Sequence, residues 1–360
     1  MEIAVLGCGG IGGVLAANLT RAGQPVTPIT GNPAIAQAIS QRGYRVRELD
    51  GGSWSVAPSR PPLVAAGDEA VGRPRRFDLV LLATQSTTLE TALASVRPYL
   101  ADGAGVVCCQ NGLPEDRAAR VVGPQRVLGC VVGWGASMVE PGHYRRTSRG
   151  GLTLGRPHPQ APDPAAVASL LEAASQVRIV DDLQAVRWSK LAINCVTTTI
   201  GAVGGDTLGR LLRHRFVRRL ALEVIGEVVA VARGAGIRPA PVNGTLDIER
   251  VAISPAERRL RLGSPSLFFK HSLLVAVGLR FRRLRSSMLY ALERGRPPEI
   301  DFLNGELVRR GASLGVATPV NGALVEAVRG IAAGERRSGL GALRQIYGEL
   351  GLGQGGSAQG

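Results

Sequence analysis

Apolar and polar positions near the N-terminus follow the order strand, turn, helix, strand. An apolar strand over Glu2–Leu6 runs into a glycine turn, a helix extends to about Ala22, and a second strand covers Pro25–Ile29. This order opens a parallel sheet. The segments YRVREL and SWSVAP flank Asp50-Gly51-Gly52 and predict a hairpin. Further strands are expected at Asp78–Ala83 and Gly105–Cys109, each followed by a helical pattern, which fits a doubly wound sheet. From Arg126 to about Arg156 the chain reads as strands and turns that finish this sheet. The Pro-rich run RPHPQAPDP then precedes a helix over Ala165–Ala174. Beyond Asp181 strand signals vanish and helical spacing takes over, as in Phe216–Arg233. The expected organisation is α/β: an N-terminal Rossmann domain over 1–180, an all-helical domain over 181–345, and a flexible tail over 346–360.

The glycine turn carries the first chemical signal. Gly7-Cys8-Gly9-Gly10-Ile11-Gly12 matches GxGxxG between a strand and a helix. In that setting the first glycine makes the tight turn, the second lets a pyrophosphate approach the backbone, and the third lets helix and strand pack closely. Gly7, Gly9, Gly10, Ile11 and Gly12 are therefore the expected dinucleotide cradle, with phosphate at the helix N-terminus. An acid for an NAD ribose or an arginine for an NADP phosphate belongs at the end of the second strand. Thr30-Gly31-Asn32 stands there instead, so the local sequence leaves the cofactor open, with Arg42 or a loop residue as the alternative phosphate grip.

Composition narrows the class. The 360 residues are 45% hydrophobic and 20% charged, an ordinary globular balance with length for two domains. No basic leader precedes the first apolar run, and the stretch Leu267–Leu279, broken by Lys270 and His271, is short for a bilayer span; the expected location is cytoplasmic. Five cysteines (Cys8, Cys108, Cys109, Cys130, Cys195) lack metal-ligand spacing and read as buried free thiols. A net charge of +15 suits an acidic partner, but the arginines are spread out, and the clusters RRLRL (Arg258–Leu262) and FRRLRSS (Phe281–Ser287) are short. They read as solvated surface, with neither nucleic acid nor membrane as partner.

Against 41 arginines the chain keeps two lysines, Lys190 and Lys270. Arginine holds its proton near neutral pH, whereas a desolvated lysine can release one, so a retained lysine is a candidate acid. Lys190 and Asn194 are four apart on a predicted helix and share a face. Hydride addition to a ketone creates an alkoxide, which an ammonium in reach neutralises, best when burial lowers the lysine from its usual value of about 10.4. Lys190 as a snorkelling surface residue, Glu299 as a first-turn acid and Ser287 as a backbone-bonded helix serine are the alternatives. Asn111-Gly112 closes a predicted parallel strand at the end where open sheets bind ligands.

CCQNGLP around Asn111, RWSKLAINCV around Lys190 and SSMLYALERGRPPEIDFLNG over Ser286–Gly305, with the glycine fingerprint, resemble the ketopantoate reductase family from Met1 to about Val325. The resemblance implies a two-domain enzyme that reduces 2-dehydropantoate to pantoate, usually with NADPH (NADP as cofactor, NAD as the alternative). It places the general acid on Lys190, a carboxylate for the substrate hydroxyl on Glu299, a serine for the substrate carboxylate on Ser287, and matching asparagines on Asn111 and Asn194. A small 2-keto acid would enter between the domains of a monomer or homodimer. Four family positions differ: a second asparagine is Thr198, a phosphate-gripping arginine and lysine are Gly31 and Ser86, and an acid after SSM is Ala291. These leave two rivals: a sister oxidoreductase on another keto or hydroxy acid, and a non-catalytic dinucleotide sensor or nucleic-acid binder that uses the basic surface.

Overall fold

The computed structural model describes residues 1–64, 76–241, 247–259 and 264–352. The chain divides into two compact units, Met1–Leu183 and Gln184–Gly360, three residues beyond position 180.

The first unit holds twelve strands among the described residues: β1 Ile3–Leu6, β2 Val26–Thr30, β3 Tyr44–Arg47, β4 Ser53–Val56, β5 Leu63–Val64, β6 Phe77–Leu82, β7 Leu100–Cys108, β8 Val127–Val132, β9 Ala136–Glu140, β10 His143–Arg146, β11 Leu152–Gly155 and β12 Val177–Val180. Eight of them form one sheet in the order β12-β11-β8-β7-β6-β1-β2-β5, parallel except where β11 meets β8. Both faces are covered, because alternate side chains enter opposite cores: Ile3 and Val5 one, Ala4 and Leu6 the other. The chain winds outward from β1 to β2 on one side and resumes at β6 on the other. The carboxyl ends of β1 and β6 therefore flank the crevice where such sheets bind ligands.

One expectation is corrected here. Of the strands between Arg126 and Arg156, only β8 and β11 complete the main sheet; β9 and β10 join the β3–β4 hairpin in a separate sheet ordered β4-β3-β10-β9. Alternating polarity marks a segment as a strand without naming its neighbour. The choice is made by packing: the Tyr144 hydroxyl donates to Cys8 O at 3.1 Å, and its ring lies where a Cβ on Gly13 would fall, 2.1 Å away.

Among the described residues the second unit is helical, with main helices Leu183–Gly204, Arg215–Gly234, Pro265–Arg280, Asn304–Ser313, Pro319–Ala332 and Leu340–Glu349. The last of these corrects the expected tail, since Leu343 and Ile346 share one face and bury together; 353–360 lie outside the described residues. No described helix is long and apolar enough to cross a membrane. Within the basic clusters, Arg258 is committed to buried Glu223 at 2.8 Å, Phe281–Leu284 are exposed, and 260–262 lie outside the described residues. All five cysteines are buried and free.

Candidate active site

The first unit builds a phosphate-sized cradle from backbone alone. Gly7 takes φ +101°, and a Cβ there would lie 2.6 Å from Thr84 N, so the chain turns against the end of β6 only because the residue is glycine. A Cβ on Gly12 would lie 1.8 Å from Gly7 O, which is how closely the following helix, Gly10–Arg21, meets the turn. Gly9 is different: it is exposed with no heavy atom within 4 Å of its Cβ position. The helix start has no side-chain cap and no acid in its first turn, so its N–H groups and positive dipole end remain for an anion. These features fit a dinucleotide pyrophosphate.

The neighbouring strand ends extend this edge. Beyond the ladders, Gly7 N donates to Ile29 O at 2.8 Å, Ala83 N to Leu6 O at 2.8 Å and Cys109 N to Leu82 O at 2.9 Å. Gln110 Nε2 then donates to Thr84 Oγ1 at 3.2 Å, joining the loops after β6 and β7. Half-buried Asn111 follows, and Gly112 at φ +79° turns the chain away. At the end of β2, Thr30 Oγ1 accepts from Asn32 N at 3.2 Å, and Asn32 Oδ1 accepts from Ala34 N at 3.0 Å. Both side chains there serve the start of the helix Pro33–Arg42. Arg42 does not suit a phosphate grip: it lies at the far end of that helix, and its guanidinium reaches Pro141 O at 3.5 Å.

In the second unit, Lys190 and Asn194 lie on Leu183–Gly204 as the spacing predicted, both half-buried. Asn194 Nδ2 is buried without a hydrogen-bond acceptor among the described residues, a donor that a ligand oxygen would satisfy. Its backbone oxygen accepts from Thr198 Oγ1, so the threonine at the altered family position bonds along the helix. The SSM segment docks one turn further on. Ser286 caps the helix Ser287–Glu293 by accepting from Leu289 N at 3.1 Å, and its hydroxyl donates to Thr198 O at 2.5 Å. Gly201 allows this approach, because a Cβ there would lie 2.8 Å from Ser286 Cβ. The backbone-bonded serine is thus Ser286, which sequence reasoning passed over, whereas Ser287 is exposed.

Glu299 opens the 3-10 turn Glu299–Phe302 behind Pro298 and is half-buried. Five residues later, Asn304 reaches the same long helix: its Oδ1 accepts from Thr199 Oγ1 at 2.6 Å, and its Nδ2 donates toward Cys195 O at 3.4 Å. Three sequence motifs therefore converge on one stretch of Leu183–Gly204. Lys270, the second lysine, has a structural place: its ammonium donates to Glu257 Oε2 and to Ala252 O, each at 2.7 Å, in a buried ion pair.

Comparison with known proteins finds relatives along most of the chain. A family model described as "Ketopantoate reductase PanE/ApbA" matches residues 3–159, and one described as "Ketopantoate reductase PanE/ApbA C terminal" matches 182–332. The chain is 29% identical over 355 residues to a 2-dehydropantoate 2-reductase of Mesorhizobium japonicum, covering 92% of this chain and 98% of the relative. It is 25% identical over 348 residues to one of Pyrococcus horikoshii, with 93% and 100% covered. Among solved structures, a PanE/ApbA family ketopantoate reductase from Ralstonia eutropha JMP134 matches with a TM-score of 0.76 at 28% identity, covering 94% of this chain and all of the other. A D-mandelate dehydrogenase solved with NADH and anilino(oxo)acetate shares the fold, with a TM-score of 0.77 at 20% identity over 93% of this chain and 99% of the other.

Proposed function

The chain belongs to the ketopantoate reductase family of oxidoreductases, and on that premise we propose that it reduces 2-dehydropantoate to pantoate with NADPH, using Lys190 as proton donor. The observation that carries this reading is the docking of the Ser286 and Asn304 segments onto the helix of Lys190 and Asn194. That packing draws the segments of Ser287 and Glu299 to the helix that carries both the Lys190 amine and the unsatisfied Asn194 amide.

When bound, nicotinamide would supply the hydride. Lys190 donates a hydrogen bond, then its proton, to the carbonyl oxygen as negative charge gathers there. The Glu299 carboxylate accepts from the substrate hydroxyl. Ser287 and Asn194 donate to the substrate, the serine to its carboxylate, and Asn111 serves both cofactor and substrate. The backbone of Gly7, Gly9, Gly10, Ile11 and Gly12 carries the pyrophosphate.

NADH as donor is a second reading, favoured by one observation: at the end of β2, Thr30 and Asn32 serve the backbone, and no cation stands among Thr30, Gly31 and Asn32. Steady-state rates with 2-dehydropantoate and each dinucleotide, read at the reduced-nicotinamide absorbance band, test both readings. Turnover faster with NADH selects the second donor. Turnover confined to other 2-keto acids rejects the substrate.

The cradle has a separate test. Gly9 has φ −72° and open space at its Cβ position, so Gly9→Val folds normally while its methyls occupy the pyrophosphate path. Fluorescence titration should show NADPH and NADH dissociation constants raised about ten-fold or more, a loss of at least about 1.4 kcal/mol, at an unchanged melting temperature. Unaltered affinity for both would place the dinucleotide elsewhere.

A further inference from the structure

A buried polar network of the second unit takes no step in the reaction proposed above. Glu227, on Arg215–Gly234, is 2% exposed, and its carboxylate accepts from Val320 N at 2.9 Å, Asn321 N at 2.9 Å and Asn321 Nδ2 at 2.6 Å. Burial pushes the carboxyl above its ordinary range, while the N–H donors of Asn321 and Val320 pull it back. It also sits at the N-terminus of Pro319–Ala332, where a negative charge is favoured. Asn321 Oδ1 accepts from Asn304 Nδ2 at 2.8 Å, and Asn304 Oδ1 accepts from the Thr199 hydroxyl at 2.6 Å. Asn321, Asn304 and Thr199 are fully buried.

The end of this chain sets its direction. Both Glu227 oxygens already accept from the backbone N–H groups of Val320 and Asn321, and Asn321 turns its amide nitrogen to Glu227 and its oxygen to Asn304. Asn304 repeats the pattern, which leaves its oxygen for the one donor remaining, Thr199. Flipping Asn321 would set its oxygen against the Glu227 carboxylate and its nitrogen against that of Asn304, and flipping Asn304 would set its oxygen against that of Asn321, in a fully buried core. Apolar packing tolerates small slides of one helix on another; this relay has a single satisfied register.

That register spans the elements of the reaction. Thr199 lies on the helix of Lys190 and Asn194, and Asn304 opens the helix that follows the Glu299–Phe302 turn. We propose that Asn304, oriented by Asn321 and Glu227, is a positioning residue that holds the Glu299 turn in register with Lys190 and Asn194. The proposal rests on the reading of those three as the reacting set. A misplacement of about 1 Å can slow a reaction about a hundred-fold, so a lock of this kind acts on rate.

Thr199→Val keeps the shape and removes the donor, whereas Thr199→Ser keeps the donor. With 2-dehydropantoate and saturating NADPH, kcat should fall about ten-fold in Thr199→Val and recover to within about two-fold of the parent in Thr199→Ser. NADPH affinity, read by fluorescence, should stay constant in both. In Glu299→Gln, itself slow, adding Thr199→Val should lower kcat far less than ten-fold, because the group being positioned is gone. A lower melting temperature with parental kcat, or an undiminished ten-fold loss in the double variant, overturns the positioning role and leaves the reaction standing. A silent Glu299→Gln overturns the reaction assignment, and the proposal with it. Should Thr199→Val fail to fold, Thr199→Ala removes the same donor and is read against the same outcomes.

Discussion

Lys190→Ala is expected to lower kcat with 2-dehydropantoate by about 10²- to 10⁴-fold, the range that a positioned general acid contributes. Hydride transfer leaves charge on the carbonyl oxygen, and without a donor that charge must be met by water or left unmatched in a partly desolvated site. Alanine is the best helix former, and position 190 lies inside the 22-residue helix Leu183–Gly204, so the circular dichroism spectrum should not change. Lys190→Arg separates the two things an ammonium offers. It retains a cation but holds its proton at any working pH, so a rate close to that of alanine identifies proton delivery as the lost step. Recovery to near the parental rate would assign Lys190 to charge stabilisation alone, and a parental rate in Lys190→Ala would end the reductase mechanism proposed for this chain.

Lys270→Met should have the largest effect on stability, about 3–5 kcal/mol, because it strips the partner from a buried carboxylate rather than removing a pair. Glu257 closes a capping box: Ser254 N donates to Glu257 Oε2 at 2.8 Å, and Glu257 N donates to Ser254 Oγ at 3.2 Å. Burial works to raise the Glu257 carboxyl, but the bonds from Lys270 and Ser254 outweigh it and hold the group at about 2, below its ordinary 4.5. A group depressed in the folded state contributes stability above its unfolded value and loses it as pH falls toward the folded one. The native protein should therefore lose this contribution between about pH 4.5 and pH 2, and urea midpoints should follow it. In Lys270→Met, burial prevails and the carboxyl rises, so the gap between variant and parent should narrow as the solution is acidified across that window. A gap constant with pH would show that the pair contributes no charge-dependent stability. Glu257→Gln/Lys270→Met, which removes both charges, should recover much of the loss.

The sequence carried the parts of this protein that depend on near neighbours. Short apolar runs bounded by turn residues marked β1 and β2, a period near 3.6 marked the long helices, and a glycine run between a strand and a helix marked the anion cradle. The shared face of Lys190 and Asn194 was legible for the same reason: four residues make about one turn wherever the helix sits. The place of the second lysine was not legible. Lys270 belongs to the core because Glu257 and Ala252 arrive from 13 and 18 residues away, and no local spacing predicts that meeting. Arg42 looked available for a phosphate until its helix set it at the wrong end. Ser286 and Ser287 are adjacent and chemically identical, yet one fastens a helix to Thr198 and the other is left exposed.

Pattern determines which face of an element is buried, and so the chain's residues alone defined a glycine-cradled parallel sheet followed by a helical unit with an amine and an amide on one helix. Which element lies against that face is settled only when separate segments compete for the same partner. Folding therefore decided that β9 and β10 leave the main sheet for the β3 hairpin. It also brought Thr199 to Asn304 across 105 residues of chain and Asn321 to Glu227 across 94, because buried hydrogen bonds demand partners that sequence distance does not supply.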